Sequence, residues 1–161
     1  MTGQKLQQPR LAFRIGDPDG EYPIFDAEGS RLFPGRWNTV EIPLIYATGH
    51  YSTAMLEKLV HGNGRIPPNQ HFVEIVLPNG LSYEVVTKDS LPGWHEPDCA
   101  VSKTFGEKWA LESRSVLLFV PSVVARMEQN ILINPMHAEF SQISCGLHQP
   151  VWWDSRLFAS S

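Results

Sequence analysis

The sequence predicts an α+β domain: one compact unit built around a mixed, curved or split β-sheet. A chain of 161 residues has the size of one domain. Apolar segments of strand length outnumber helical ones and follow in mixed order. The 13 prolines and 12 glycines are spread along the chain and mark no linker. We therefore expect residues 1–161 to form a single domain, with a core over about residues 11–158.

Short apolar segments bounded by turn residues supply the predicted strands. SVLLFVPS is nearly continuously apolar, which favours a buried central strand. HFVEIVLP and LSYEVVT flank the turn PNG, and together they predict a β-hairpin. The predicted strands are LAFRI (11–15), PLIYAT (43–48), HFVEIVLP (71–78), LSYEVVT (81–87), SVLLFVPS (115–122), NILINP (130–135) and VWWDSRLF (151–158).

Two segments have helical patterns. In STAMLEKLVHG, Ser52 is placed to cap the helix, apolar residues form a broad face, and Gly62 is placed to end it. In TFGEKWALES, Thr104 and Glu107 have the spacing of a capping box. The first segment predicts a full helix and the second a shorter one.

Composition and charge exclude several classes of protein. The chain is 42% hydrophobic and 19% charged, as in ordinary globular proteins. A net charge of -4 argues against direct nucleic-acid binding, which needs a basic face. Cys99 and Cys145 are too few for a disulfide scaffold, so free thiols of a cytoplasmic protein are expected. No segment has the apolar run of a signal peptide or a membrane span.

Several catalytic and cofactor motifs are missing from the sequence. There is no GxxxxGK(S/T) phosphate loop, no GxGxxG and no GxSxG elbow. The six histidines form no HExxH, and HEPDC lacks the pattern of zinc deaminases. Nothing in the spacing therefore favours a metal site or a nucleotide-binding loop, and a metal site assembled from distant residues stays open.

A few polar residues remain as candidates, and each one alone has an ordinary structural interpretation. Glu57 in the predicted helix fits a solvated surface carboxylate as well as one that faces a cleft. Tyr46 fits a core aromatic, and Ser115 fits the end of a strand. Arg14 fits the polar side of its strand unless an anion is its partner. Arg36 follows Gly35 in a sharp Pro-Gly turn.

The order and spacing of five blocks resemble the RES-domain family, the toxins of bacterial RES-Xre toxin-antitoxin pairs. The blocks are RLFPGRWN, PLIYAT, STAMLEKLVH, SVLLFVPS and NILINP, and the resemblance runs from Arg14 to about Leu157. IYA begins seven residues after the asparagine of GRWN, and Glu57 lies eleven residues after Tyr46. This combination forms a rather specific signature.

The resemblance implies a fold similar to the ADP-ribosyltransferase toxins and an enzyme that cleaves the nicotinamide-ribose bond of NAD. NAD is then a substrate of a glycohydrolase or phosphorylase, and no cofactor or metal is needed. Carried over by position, the implied catalytic residues are Glu57, Tyr46 and Arg36. The implied NAD-binding residues are Arg14, Arg36, Tyr46 and Ser115, with Arg31 and Asn134 as weaker additions.

This chemistry suits the residues that the resemblance selects. Nicotinamide leaves NAD as a neutral molecule, so one carboxylate such as Glu57 is enough to stabilise the positive charge that builds on the ribose. Arg14 and Arg36 suit the pyrophosphate. Tyr46 is expected to stack on nicotinamide or ribose, and Ser115 to bond the carboxamide or orient Glu57. Water, phosphate or a protein side chain remains open as the acceptor.

The chain departs from the family pattern at two positions. Glu41 stands where the family commonly has glycine, and Thr48 where it often has serine. The resemblance also implies a cognate Xre-type helix-turn-helix antitoxin that covers the cleft and makes any contact with DNA itself. Three alternatives stay open: an ADP-ribosyltransferase acting on a protein, a non-catalytic nucleotide- or partner-binding module and, least favoured, a ribonuclease.

Overall fold

Residues 3–158, the part of the chain that this computed structural model describes, contain nine strands in one mixed sheet and three α-helices. The helices are α1 (Glu28–Leu32), α2 (Tyr51–His61) and α3 (Ala100–Leu111), and short 3-10 turns span Ala138–Gln142 and Ser155–Leu157. The strands are β1 (Gln4–Lys5), β2 (Arg10–Gly16), β3 (Ile45–Thr48), β4 (His71–Leu77), β5 (Ser82–Val85), β6 (Leu117–Pro121), β7 (Gln129–Ile133), β8 (Ser144–Cys145) and β9 (Gln149–Pro150).

The sheet nearly divides in two between β2 and β3. Its order is β1-β5-β6-β7-β3-β2-β4-β8, with β9 also beside β4. β2 pairs with β4 over its whole length, and β3 pairs with β7 over four positions. Between β2 and β3 the pairing is limited to Phe13 and Thr48. The predicted α+β class with a curved or split mixed sheet is therefore confirmed.

The hairpin prediction for β4 and β5 is wrong. β4 pairs with β2, whereas β5 pairs with β1 and runs parallel to β6. The turn after β4 does not bring β5 back beside β4. The backbones of Gly80 and Leu81 instead bond to the backbone of Leu6, and the chain continues to the other half of the sheet. Alternation predicts a strand but does not name its partner. The segment 151–158 contains a 3-10 turn instead of the predicted strand.

The helix starts also differ from the prediction. α2 ends at Gly62 as expected, but its N-cap residue is His50, and Ser52 lies inside the helix. α3 begins at Ala100, so Thr104 and Glu107 lie within the helix and form no capping box. In both helices the tertiary context extends the N-terminus beyond the residues with the best capping propensity.

Tryptophans dominate the packing between α3 and the sheet. Trp37, Trp94 and Trp109 are each at most 3% exposed and share one apolar cluster with Leu118 and Leu132. Helix α3 lies directly on the GRWN turn at Gly106. A Cβ atom at this glycine would lie 1.8 Å from the carbonyl oxygen of Trp37. The position of the turn therefore depends on a close approach of two backbones.

Candidate active site

Glu57 lies on α2 and is held by the ends of two strands. Its Oε1 accepts a hydrogen bond of 2.8 Å from the hydroxyl of Ser122 and one of 2.9 Å from Nδ2 of Asn130. Ser122 directly follows β6, and Asn130 belongs to β7. Within residues 3–158, Oε2 of Glu57 has no hydrogen-bond partner. One carboxylate oxygen is thus fixed and the other is available to a ligand.

Sequence reasoning missed both of these partners, although each lies in a block that it had selected. SVLLFVPS has a serine at each end, and the residue that contacts Glu57 is the second, Ser122, and not Ser115. NILINP contains two asparagines, and the one that contacts Glu57 is Asn130, not Asn134. The sequence held no signal that separates the two asparagines, because Asn130 and Asn134 have the same parity and alternation along β7 places both on one face.

Tyr46 fixes the turn on both sides of Arg36. Its hydroxyl donates to Oδ1 of Asn38 and accepts a 3.0 Å hydrogen bond from the backbone N–H of Trp37. A Cβ atom at Gly35 would lie 2.8 Å from Cζ of the tyrosine ring, so only glycine fits there. Burial raises the pKa of Tyr46 above its ordinary value of 10, which keeps the hydroxyl protonated as a donor.

The GRWN turn is organised by Asn38, a fully buried side chain. Its Oδ1 accepts from the N–H of Gly35 at 2.8 Å and from the hydroxyl of Tyr46. Its Nδ2 donates to the carbonyl oxygens of Ser30 at 2.7 Å and Ile42 at 2.8 Å. All donors and both acceptor sites of this amide are in use, so Asn38 stabilises the turn instead of facing a ligand.

Arg36 points towards the loop before α3. Its Nη1 donates to the carbonyl oxygens of Trp94 at 3.0 Å and Glu96 at 2.9 Å. Within residues 3–158, its Nε and Nη2 have no hydrogen-bond partner and no carboxylate contacts it. The guanidinium group is therefore oriented by the protein and keeps free donors for an anion.

Arg14 occupies the gap where β2 and β3 separate. Its Nε donates to the carbonyl oxygen of Ile24 at 2.7 Å, and its Nη1 to that of Tyr46 at 2.8 Å. Burial lowers the pKa of Arg14, while the charge of Asp26 opposes that shift. The pKa of Lys58, the residue after Glu57, is also lowered by burial and then by the charge of Arg14. Two partly desolvated cations therefore lie close together, one of them next to Glu57 in the sequence.

The donors of Arg31 are occupied by neighbouring carboxylates. Its guanidinium group bonds Glu28 through two nitrogens and Glu41 through a third. These hydrogen bonds raise the pKa of Arg31. The structure therefore gives the arginine an ion-pair partner on each side and does not bring it to Glu57.

Ser115 and Asn134 also lie apart from Glu57. Ser115 is fully buried, accepts a 2.8 Å hydrogen bond from Nε1 of Trp109 and donates one of 2.7 Å to the carbonyl oxygen of Leu117. Asn134 is 1% exposed and bonds the carbonyl oxygen of Ala110 at 3.2 Å. Both side chains tie α3 and its following loop to the sheet, and Ser115 precedes β6 whereas Ser122 follows it.

Both departures from the family pattern have a structural counterpart. Glu41 adopts a φ of 76°, in the left-handed region that favours glycine, and its carboxylate bonds Arg31. Thr48 donates its hydroxyl to the carbonyl oxygen of His50 at 2.8 Å, just before α2. The threonine therefore still supplies a hydroxyl donor where the family often has serine.

Residues 3–158 contain neither a membrane-spanning helix nor a cluster of metal ligands. Among residues 3–158, no helix combines the length and the apolar character that crossing a bilayer requires. The same part of the chain places no three histidine, cysteine or carboxylate side chains together as metal ligands. Two surface cavities, of about 450 and 930 Å³, are lined by other residues than Glu57 and its partners.

Residues 11–154 match the RES domain. The chain belongs to the RES domain family. This RES domain is 40% identical over 134 residues to the "Prs ADP-ribosylating toxin" of Sphingobium sp. strain YBL2. The aligned region covers 80% of this chain and 83% of the relative. It is 31% identical over 143 residues to the "Toxin Res" of Pseudomonas putida, with 85% and 94% of the two chains covered.

A solved structure has a similar fold. It is the crystal structure of the Mycobacterium tuberculosis MbcT-MbcA toxin-antitoxin complex. The two folds superpose with a TM-score of 0.73 over 91% of this RES domain and 86% of the other chain. Since the sequences are 14% identical, this likeness extends to the fold alone. The fold of this RES domain therefore matches the toxin fold of that complex, in agreement with the predicted α+β class.

Proposed function

We propose that this RES domain is a toxin that consumes NAD by cleaving the bond between nicotinamide and ribose. The observation that carries the proposal is the state of Glu57, whose Oε1 is fixed by Ser122 and Asn130 while Oε2 has no partner among residues 3–158. Arg14 and Arg36 add oriented cations that bond no carboxylate in the part of the chain that the structure describes. A fixed carboxylate together with free guanidinium donors suits a substrate that carries a pyrophosphate and develops positive charge.

The reaction needs one carboxylate and no acid. The bond between C1′ of the ribose and the ring nitrogen of nicotinamide breaks, and its electron pair leaves with nicotinamide, which becomes neutral. The positive charge that remains on the ribose is stabilised by the free oxygen of Glu57. An acceptor oxygen then bonds C1′ and gives up its proton. With water as the acceptor the second product is ADP-ribose, and with phosphate it is a phosphorylated ADP-ribose.

The geometry suggests a division of labour among the other residues. Arg14 and Arg36 bind the pyrophosphate through the donors that the protein leaves free. The hydroxyl of Tyr46 is already bonded to Asn38 and Trp37, so its contribution is to hold the turn that carries Arg36 and to offer its ring. In this assignment Ser122 takes the position that the resemblance gave to Ser115.

A protein acceptor is the second candidate function. The observation that favours it is the name of the Sphingobium relative, an ADP-ribosylating toxin, at 40% identity. Transfer to a protein side chain would use the same cleavage step and differ in the nucleophile. We also propose a cognate Xre-type antitoxin as a tight inhibitory partner in the cytoplasm, because the matching structure is a toxin-antitoxin complex.

Product identification tests the proposal. The purified protein is incubated with NAD, with and without inorganic phosphate, and the products are separated by chromatography. We expect nicotinamide in every reaction, together with ADP-ribose, its phosphorylated form, or label on an added protein. Intact NAD after prolonged incubation with folded, antitoxin-free protein contradicts the proposed function.

A further inference from the structure

The arginines of this domain fall into two groups. Arg31, Arg114 and Arg156 each contact a carboxylate within 4.0 Å. Within residues 3–158, the other five, Arg10, Arg14, Arg36, Arg65 and Arg126, have no such partner, and of these Arg36 and Arg126 both contact Trp94. A fixed guanidinium group without a counter-ion is placed to bind an anion from outside the chain.

Arg126 lies in the turn that joins the two partners of Glu57. The turn begins after Ser122 and leads to Asn130, and its start is fixed by a 3.1 Å hydrogen bond from the N–H of Ala125 to the hydroxyl of Ser122. Nε of Arg126 donates to the carbonyl oxygen of Val123 at 3.0 Å. Its two terminal nitrogens have no hydrogen-bond partner among residues 3–158. The turn that positions the catalytic carboxylate therefore also carries an unpaired cation.

Trp94 connects Arg126 with Arg36. The guanidinium carbon of Arg126 lies over the indole of Trp94, 5.3 Å from the ring centroid, and Nη1 of Arg36 bonds the carbonyl oxygen of the same residue at 3.0 Å. Trp94 itself is rigid, since it is 2% exposed and its Nε1 donates to the carbonyl oxygen of Lys88 at 3.1 Å. The cation-π contact directs Arg126 to the loop that Arg36 also contacts.

We propose that Arg126 and Arg36 form a two-arginine phosphate subsite, in which Arg126 is a substrate-positioning residue. The proposal rests on the proposed function of Glu57 and extends it to a residue in the turn between Ser122 and Asn130. The free donors of both guanidinium groups suit the oxygen atoms of a phosphate, and their two positive charges compensate the negative charges of the phosphate. The phosphate has two sources: the pyrophosphate of the dinucleotide, or inorganic phosphate acting as the acceptor.

Kinetics of nicotinamide release test this subsite. Arg126→Ala is compared with Arg65→Ala, which removes the same charge from the exposed loop after α2. If the subsite holds the pyrophosphate, we expect Arg126→Ala to raise the KM for NAD about tenfold with kcat within about twofold. If it holds inorganic phosphate, the KM for NAD stays constant and the acceleration by phosphate is lost. Equal behaviour of the two variants in both assays overturns the proposal.

A truncated substrate separates phosphate binding from a structural effect. Nicotinamide riboside contains the bond that is broken but no phosphate. In buffer without inorganic phosphate, we expect Arg126→Ala and the unmodified protein to cleave it at rates within about twofold, because the subsite has nothing to bind. An equal loss on nicotinamide riboside and on NAD shows that Arg126 acts through the fold, which overturns the proposal. Arg126→Lys keeps the positive charge but loses the planar pair of donors of the guanidinium group. We expect it to retain more NAD activity than Arg126→Ala and less than the unmodified protein.

Direct binding keeps the proposal testable without turnover. Calorimetry with ADP-ribose and, separately, with inorganic phosphate is done on the unmodified protein, Arg126→Ala and Arg65→Ala. We expect about tenfold weaker binding of at least one ligand by Arg126→Ala alone, with a steeper salt dependence for the unmodified protein. Failure of nicotinamide release with this binding pattern contradicts the proposed function and supports the subsite. Binding that is independent of Arg126 contradicts the subsite.

Discussion

The hydroxyl of Ser122 donates a 2.8 Å hydrogen bond to Oε1 of Glu57, a residue 65 positions earlier in the chain. Asn130 supplies the second donor from the neighbouring strand. The direction of the carboxylate is therefore determined by β6 and β7 and not by α2 alone. Fixing one oxygen leaves the other directed by the protein before any substrate arrives, which is the preorganisation that charge stabilisation requires.

Removing the Ser122 hydroxyl tests this contact. In Ser122→Ala, Oε1 of Glu57 keeps Asn130 as a partner but loses one of its two donors. We expect kcat/KM for NAD to fall about tenfold, the loss of one hydrogen bond to a charged group. Nicotinamide release under single-turnover conditions, with urea unfolding as the check on stability, gives the measurement.

Ser115→Ala is the matched comparison, since it removes the same atom at the other end of β6. It leaves Nε1 of the buried Trp109 without its acceptor, and we expect the free energy of unfolding to fall by about 1–3 kcal/mol. Activity per folded molecule should stay within about twofold. The reverse pattern, an inactive but stable Ser115→Ala beside a fully active Ser122→Ala, would return the assignment to Ser115.

The buried hydroxyl of Tyr46 predicts a loss of stability at alkaline pH. Its pKa is raised in the folded state, mainly by burial, whereas the unfolded chain releases the proton near pH 10. Stability from this group is fully present below pH 10 and decreases as the pH rises above it. Tyr46→Phe removes that part of the pH dependence and costs about 1 kcal/mol at neutral pH, because the N–H of Trp37 loses its acceptor. Chemical unfolding between pH 8 and 11 measures both effects, and an unchanged alkaline slope in the variant would contradict them.

Arg31→Ala should distinguish the roles of the two arginines in the block RLFPGRWN. Glu28 and Glu41 occupy the guanidinium donors of Arg31, whereas those of Arg36 are partly free. We expect Arg31→Ala to keep the KM for NAD within about threefold and Arg36→Ala to raise it tenfold or more. The measurement is initial-rate kinetics with both variants. A larger effect of Arg31 than of Arg36 would show that the ion pairs open to bind substrate.

Much of the fold followed from short-range patterns. The apolar segments identified the major strands, and the buried run SVLLFVPS became a central strand because both of its faces are covered. The partners of β4 and β5 were not predictable, because alternation identifies a face and not a neighbour. The predicted helix starts were wrong for a related reason, since tertiary contacts extended α2 and α3 past their best capping residues.

The candidate site could be predicted to the level of its sequence blocks. Spacing and resemblance selected Glu57, Tyr46 and Arg36 as candidates, and the resemblance chose Ser115, whereas the structure places Ser122 of the same block beside Glu57. That choice depends on which end of β6 meets α2, and this is set by contacts far apart in sequence. The contact of Tyr46 with its own turn could not be predicted for the same reason, because it depends on how the hydroxyl meets Asn38 and Trp37 in the folded chain.

Nicotinamide release by Glu57→Gln tests the central claim most directly. The amide keeps the size of the side chain but removes the charge that would face the ribose. Glu112→Gln, the same change at the end of α3, is the control. We expect the unmodified protein and Glu112→Gln to release nicotinamide from NAD at similar rates, and Glu57→Gln to release it at least 100-fold more slowly with unchanged unfolding. Full activity of a folded Glu57→Gln would contradict the account.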